Sequence, residues 1–163
     1  MSAKALTPLV RGEYSIHEAA HAIVARELGV EVLSVEVTGD IGLCHVTPIG
    51  RGTLSNVRRE LALILAGWIA EKIAEGGDWR TLPLARVLST ESQGDRRTRV
   101  FNFEADVAAL LDGDTVRAHR FINAAVPAAA KRAATILKQR WGEVLDLAAQ
   151  LMVDGEVNLQ AAA

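Results

Sequence analysis

The chain has 163 residues, of which 50% are apolar and only 4% aromatic, and its formal net charge is −2. This length suits one domain with a hydrophobic core, and the charge gives no basic footprint for nucleic acid or an anionic membrane surface. The single cysteine, Cys44, excludes an intramolecular disulfide and a thiolate-rich structural zinc site. The longest apolar run, 61–70, is about half the length of a membrane-spanning helix. We therefore expect a cytoplasmic protein without a transmembrane segment.

The first predicted element is an amphipathic helix that begins near Thr7 and ends near Leu28. Its apolar residues recur at steps of three and four, and Gly29 follows as a helix stop. An alternating pattern over 31–38 then predicts a strand, and 43–47 predicts its hairpin partner.

The first helix contains the motif HExxH, formed by His17, Glu18 and His21. On a helix, this spacing places the two imidazoles one turn apart on the same face, where a divalent metal can bind both. Zinc suits neutral imidazole nitrogen and works in catalytic sites with three protein ligands and a water. Glu18 is then the natural general base. The alternative is that both histidines are ordinary helix residues that hydrogen-bond their neighbours.

The hairpin is predicted with Leu33, Val35 and Val37 on one side of its first strand. In zinc peptidases, an edge strand beside the HExxH helix commonly aligns an extended substrate by adding it to the sheet. The sequence supports two roles for the hairpin equally: alignment of a substrate, or only covering the helix.

A second long helix is predicted from a cap at Ser55 to about Glu75, with Gly76 closing it. It carries a wide apolar stripe and is expected to pack behind the first helix. Gly67, within this stripe, predicts a close approach of another helix.

The C-terminal half is predicted to be helical. A capping box starting at Thr90 indicates a helix over 91–100, and Thr115 is predicted to cap a helix that runs to about 139 with a break or kink at Pro127. A last helix follows Trp141, and 157–159 predicts a short strand. Its expected buried residues are Val144, Leu145, Leu147, Ala148, Leu151 and Met152. The predicted fold is mainly α, with a small β-hairpin or sheet beside the metal-binding helix.

Two histidines need a third protein ligand to make a catalytic zinc site. No histidine follows at the metzincin spacing, since 22–28 contains none. Glu71 is the first choice for a carboxylate that orients a ligating imidazole through its far nitrogen, and it is also an alternative ligand. The candidates for the third ligand are Glu71, Glu75, Glu91, Asp95, His45 and His119.

Several segments together resemble the peptidase domain of FtsH-type ATP-dependent zinc proteases over most of the chain. HEAAHAIVA at 17–25 is similar to HEAGHAIVA of the family, and a strand over 32–37 follows it in the same order. LAGWIAE at 65–71 is similar to LxGGRxAE, with Trp68 in place of the second glycine and Ile69 in place of arginine. STESQGD at 89–95 is similar to STGASND.

The resemblance implies that Asp95, at the end of the last motif, supplies the third zinc ligand beside His17 and His21. It also implies a single FtsH-type peptidase-like domain over 1–163. The sequence contains no GxxxxGK[ST] nucleotide-binding loop, so we expect a stand-alone relative without ATPase or transmembrane segments.

The predicted function is that of a zinc metalloendopeptidase that hydrolyses peptide bonds independently of ATP, with a metal-activated water and Glu18 as general base. Its partners would be protein or peptide substrates, without nucleic acid or membrane, and an oligomer is possible. The alternative is a catalytically silent metal-binding or partner-recognition module on the same fold. The presence of Glu18 favours the peptidase, because a structural zinc needs no base.

Overall fold

The structure, a computed structural model, describes residues 8–39, 41–50, 52–84 and 103–160. Its elements in chain order are helix α1 (Pro8–Glu27), strands β1 (Val32–Thr38) and β2 (Ile41–Val46), helix α2 (Leu54–Ala74), a 3-10 turn (Trp79–Thr81), helices α3 (Phe103–Ala109), α4 (Thr115–Gln139) and α5 (Trp141–Asp154), and strand β3 (Glu156–Asn158). The fold is mainly helical with a small three-stranded antiparallel sheet. This agrees with the predicted fold class. The helix predicted at 91–100 lies outside the described residues.

Helix α1 ends in a glycine-dependent turn. Gly29 has a φ of +71°, in the left-handed region that glycine adopts without steric cost. The N–H of Val30 donates to the carbonyl of Ala25, and that of Gly29 donates to the carbonyl of Arg26. These two bonds satisfy carbonyls that the end of the helix leaves unpaired. Nε of Arg59, on α2, donates a hydrogen bond of 3.1 Å to the carbonyl oxygen of Leu28. This bond connects the end of α1 to α2.

The sheet has the strand order β2-β1-β3, so β2 and β3 are its edges within the described residues. β1 buries Val35 and Val37 against the helices. The expectation that Leu33 shares this buried side is wrong, because the register shifts between Val32 and Ser34 and Val32 is buried instead. Helix α1 packs on β1 and β2. The hairpin therefore lies beside the helix that carries HExxH.

Helix α2 lies between α1 and α4 and packs against both. Leu61, Leu65 and Ile69, at successive steps of four, are fully buried, and each contributes roughly 1.5–3 kcal/mol through burial of apolar surface. The helix begins two residues earlier than predicted. Thr53 is its N-cap, with its hydroxyl accepting from the N–H of Asn56, and the predicted cap Ser55 lies inside the helix.

Helix α4 begins at a carboxylate cap and continues through its proline. Asp114, rather than the predicted Thr115, is the N-cap and accepts from the N–H of Arg117, because a carboxylate is as good a cap as a hydroxyl and stands one residue earlier. Of the predicted break or kink at Pro127, the break is wrong, since the helix is continuous from Thr115 to Gln139. Pro127 removes one backbone donor, and buried residues hold the helix in place on both sides of it: Ala125, Val126, Ala129 and Ala130.

Helix α5 and strand β3 lie where the sequence predicted a last helix and a short terminal strand. The buried side of α5 is narrower than expected: Leu145 and Met152 are 45% and 41% exposed. Each follows a buried residue, Val144 or Leu151, by one position, which is about 100° around the helix. Gly155, with a φ of +78°, ends the helix, and β3 then pairs with β1. None of the helices in the described ranges combines the length and hydrophobicity needed to cross a bilayer.

Candidate metal and catalytic site

His17 and His21 lie side by side on α1. Their ring centroids are 4.7 Å apart and their planes are inclined by 66°. Two imidazoles that share one zinc ion, at metal–nitrogen distances of about 2.0–2.1 Å, have centroids about 5 Å apart in a tetrahedral arrangement. The spacing of the two rings is thus compatible with one shared metal ion.

Hydrogen bonds to α2 select the same tautomer for the neutral form of both rings. Nδ1 of His21 donates to the carbonyl oxygen of Leu63 at 2.8 Å. Nδ1 of His17 donates to Oε1 of Glu71 at 2.7 Å. Because a carbonyl and a carboxylate only accept, Nδ1 carries the proton in each case and Nε2 carries the lone pair. This is the arrangement in which metal-binding histidines are held by a partner at the far nitrogen.

Gly67 is the point at which α2 comes closest to His17. A Cβ atom built on Gly67 would collide with Nε2, Cδ2 and Cε1 of the His17 ring. The predicted close approach at this glycine is confirmed, and the group that approaches is the imidazole itself. The neighbouring Trp68 contacts the same ring, with centroids 5.7 Å apart and planes inclined by 80°.

Glu18 is buried between α1 and the hairpin, with 7% of its surface exposed. A Cβ atom on Gly42 of β2 would lie 2.5 Å from its Oε1 and 2.6 Å from its Cγ. Any side chain at this position of β2 would therefore require the carboxylate of Glu18 to shift. The carboxylate is close to an edge strand of the sheet and next in sequence to His17.

Cys44 lies two residues after Gly42 on the same strand. Burial, and secondarily the carboxylate of Glu18, raise the pKa of the Cys44 thiol well above its ordinary value. The side chain is therefore a neutral thiol at physiological pH. The Cys44 side chain is partly buried and packs against the hydrophobic core.

Three candidates for the third ligand are engaged elsewhere. Glu75 is exposed and pairs with Lys72 at 3.1 Å. His45 lies 3.3 Å from Glu36 on β1, and the exposed His119 lies 3.4 Å from Glu104 of α3. Each of these three candidates is therefore paired with a charged side chain at the surface.

Asp95 and Glu91 lie outside the described residues. Within 8–39, 41–50, 52–84 and 103–160, no group of three His, Cys, Asp or Glu side chains is arranged to hold a metal ion. The structure brings His17 together with His21 and with Glu71, and it places Glu18 against Gly42 of β2. The choice of Asp95 as the third ligand stays a prediction.

Two groups in this site were not identified from the sequence. Gly42 stands close to Gly39 and Asp40, a composition typical of a turn, although a glycine next to apolar strand residues also signals close approach by another group. The carbonyl of Leu63 carries no signal in the sequence, because any backbone carbonyl can accept a hydrogen bond.

Comparisons with known proteins add no family assignment. No protein-family model matches the chain, and no curated protein matches it. The relation to FtsH-type peptidase domains therefore stays a prediction from the motifs.

Proposed function

We propose that this chain is a zinc-dependent metallopeptidase related to the peptidase domain of FtsH-type proteases. The observation that supports this most strongly is the pair of rings of His17 and His21, 4.7 Å apart and each anchored through Nδ1 to α2. A surface histidine pair needs no such anchoring, whereas metal ligands are usually oriented in this way.

The donor set of the described residues fits zinc. Two neutral imidazoles with the lone pair at Nε2 are typical zinc ligands, and the proposed third ligand is Asp95. When bound, zinc would act as a Lewis acid that polarises the scissile carbonyl and lowers the pKa of a bound water toward about 7.

Glu18 is the proposed general base. Its carboxylate would take a proton from the attacking water as the oxygen adds to the carbonyl carbon. It would then deliver that proton to the amine nitrogen as the C–N bond breaks. Burial of Glu18 against Gly42 limits the room available to the carboxylate, which supports its role as a positioned base.

Strand β2 is the proposed guide for the substrate. It is an edge strand in the described sheet, and its Gly42 contacts Glu18. An extended peptide that pairs with this edge would bring its backbone carbonyls close to the base, and main-chain hydrogen bonds would hold it independently of sequence. We propose that the reaction proceeds without ATP, because an activated water and a general base are sufficient for hydrolysis of an accessible peptide bond.

A paired measurement tests this proposal. Zinc content and hydrolysis of casein are measured in the wild type, Glu18→Gln and Glu13→Gln, with and without ATP. Glu13 is an exposed residue of the same helix and serves as the matched control.

We expect equal zinc in all three proteins, hydrolysis by the wild type and Glu13→Gln without ATP, and a loss of at least about 100-fold in Glu18→Gln. Absence of zinc from the wild type would refute the proposal. A zinc-loaded wild type that leaves casein intact would instead support a metal-binding module that recognises a partner without cleaving it.

A further inference from the structure

The imidazole of His17 is surrounded by residues from one turn of α2. Gly67 lies against the ring, Trp68 packs across it at 80°, and Glu71 accepts from Nδ1. These three residues lie at positions i, i+1 and i+4 of a single helix, so they move as one rigid unit. We propose that Trp68 is a positioning residue for His17, which holds the ring in its metal-binding orientation before the metal arrives. This inference rests on the proposed metal site.

Each of the three contacts restricts a different motion of the ring. The hydrogen bond to Glu71 fixes the direction of Nδ1, but it allows the ring to rotate about that bond. Gly67 blocks displacement toward the α2 backbone. The perpendicular indole of Trp68 opposes the remaining rotation, because that rotation would break a favourable edge-to-face contact with the imidazole.

Trp68 lies beside the core of α2 and not within it. Leu61, Leu65 and Ile69 form the fully buried stripe of this helix, whereas Trp68 is only partly buried. A role limited to packing would therefore appear in the stability of the metal-free protein. A positioning role would appear in the affinity for metal and in the geometry of the bound metal.

The first test is a titration with Co²⁺, whose visible absorption reports on the arrangement of its ligands. It compares the wild type, Trp68→Ala, Trp68→Phe and Trp79→Ala, with unfolding by urea measured separately in a chelator. Trp79 is the matched control, a partly buried tryptophan at the start of the 3-10 turn.

We expect Trp68→Ala to bind Co²⁺ about 3- to 10-fold more weakly, with an altered absorption band, because one aromatic contact is lost. Trp68→Phe keeps an aromatic ring and should stay within about twofold of the wild type. Trp79→Ala should keep the wild-type affinity and band. An unchanged affinity and band in Trp68→Ala would overturn the inference.

A second readout is independent of whether Trp68→Ala folds. Bound Co²⁺ quenches nearby indoles, so Trp68→Phe should lose most of the quenching of the wild-type fluorescence, and Trp79→Phe and Trp141→Phe should keep it. Equal quenching in all three variants would contradict the placement of Trp68 beside the metal. A wild type that binds no Co²⁺ would refute the proposed function together with this inference. If the wild type binds Co²⁺ and the substitutions of Trp68 leave that binding unchanged, this inference alone is refuted.

Discussion

Nδ1 of His17, on α1, donates a hydrogen bond of 2.7 Å to Oε1 of Glu71, on α2. The two residues are 54 positions apart in sequence, and their contact links the HExxH helix to the helix packed against it. The carboxylate sets which ring nitrogen carries the proton, so Nε2 is the atom that would bind the proposed metal.

Glu71→Gln tests this orienting role. The amide can still accept a hydrogen bond but lacks the charge, so we expect zinc affinity to fall about 10- to 100-fold. Competition with a chelator measures it, and Glu75→Gln, exposed on the same helix, is the control. A complete loss of binding would show that Glu71 is itself a ligand, and an unchanged affinity would remove it from the site.

Gly67→Ala should destabilise the protein, although Gly→Ala inside a helix is normally favourable by about 0.5–1 kcal/mol. The added methyl meets the His17 ring, and such overpacking costs about 1–3 kcal/mol. Urea unfolding of the metal-free protein measures the change. Gly142→Ala, on α5 with open space around its Cβ position, should be neutral or stabilising. Similar results for the two variants would contradict the close approach.

Gly42→Ala should impair catalysis more than metal binding. Its methyl group would occupy the position of the Glu18 carboxylate, and displacement of a general base by about 1 Å costs on the order of 100-fold in rate. Casein hydrolysis and zinc content are compared with those of Gly50→Ala, where the added methyl meets nothing. If Gly42→Ala keeps full activity, Glu18 does not act from its position beside β2.

The thiol of Cys44 predicts a dependence of stability on pH. Its pKa is raised in the folded protein by burial and by Glu18, whereas an unfolded thiol ionises near pH 8.5. Above that pH the unfolded chain releases a proton that the folded chain keeps, so stability is full below about pH 8.5 and falls as pH rises, by up to about 1.4 kcal/mol per pH unit.

Urea unfolding with a chelator and a reductant, between pH 7 and pH 10, measures this loss. Cys44→Ala has no thiol to ionise, so its stability should fall less steeply, while other titrating groups affect both proteins equally. Parallel curves for the two proteins would show that the folded thiol ionises normally.

The sequence predicted the parts of the site that depend on local structure. The spacing of His17 and His21 requires only a helix, and the apolar period of α1 together with Gly29 specifies that helix. The apolar stripe of α2 likewise predicted its packing against α1.

The rest of the site depends on how two distant segments dock. The carbonyl of Leu63 and the ring of Trp68 reach the histidines only because α2 packs at a particular height and rotation on α1. Local periodicity does not specify either quantity. The caps Thr53 and Asp114 were missed for a related reason, since several neighbouring residues can cap a helix and packing selects among them.

The zinc content of the purified protein, measured by mass spectrometry, tests most directly whether HExxH holds a metal. The four histidines of the chain provide a matched comparison: His17→Ala/His21→Ala against His45→Ala/His119→Ala. We predict about one zinc ion per chain in the wild type and in the second variant, and none in the first. Equal zinc in both variants, or none in the wild type, would contradict this prediction.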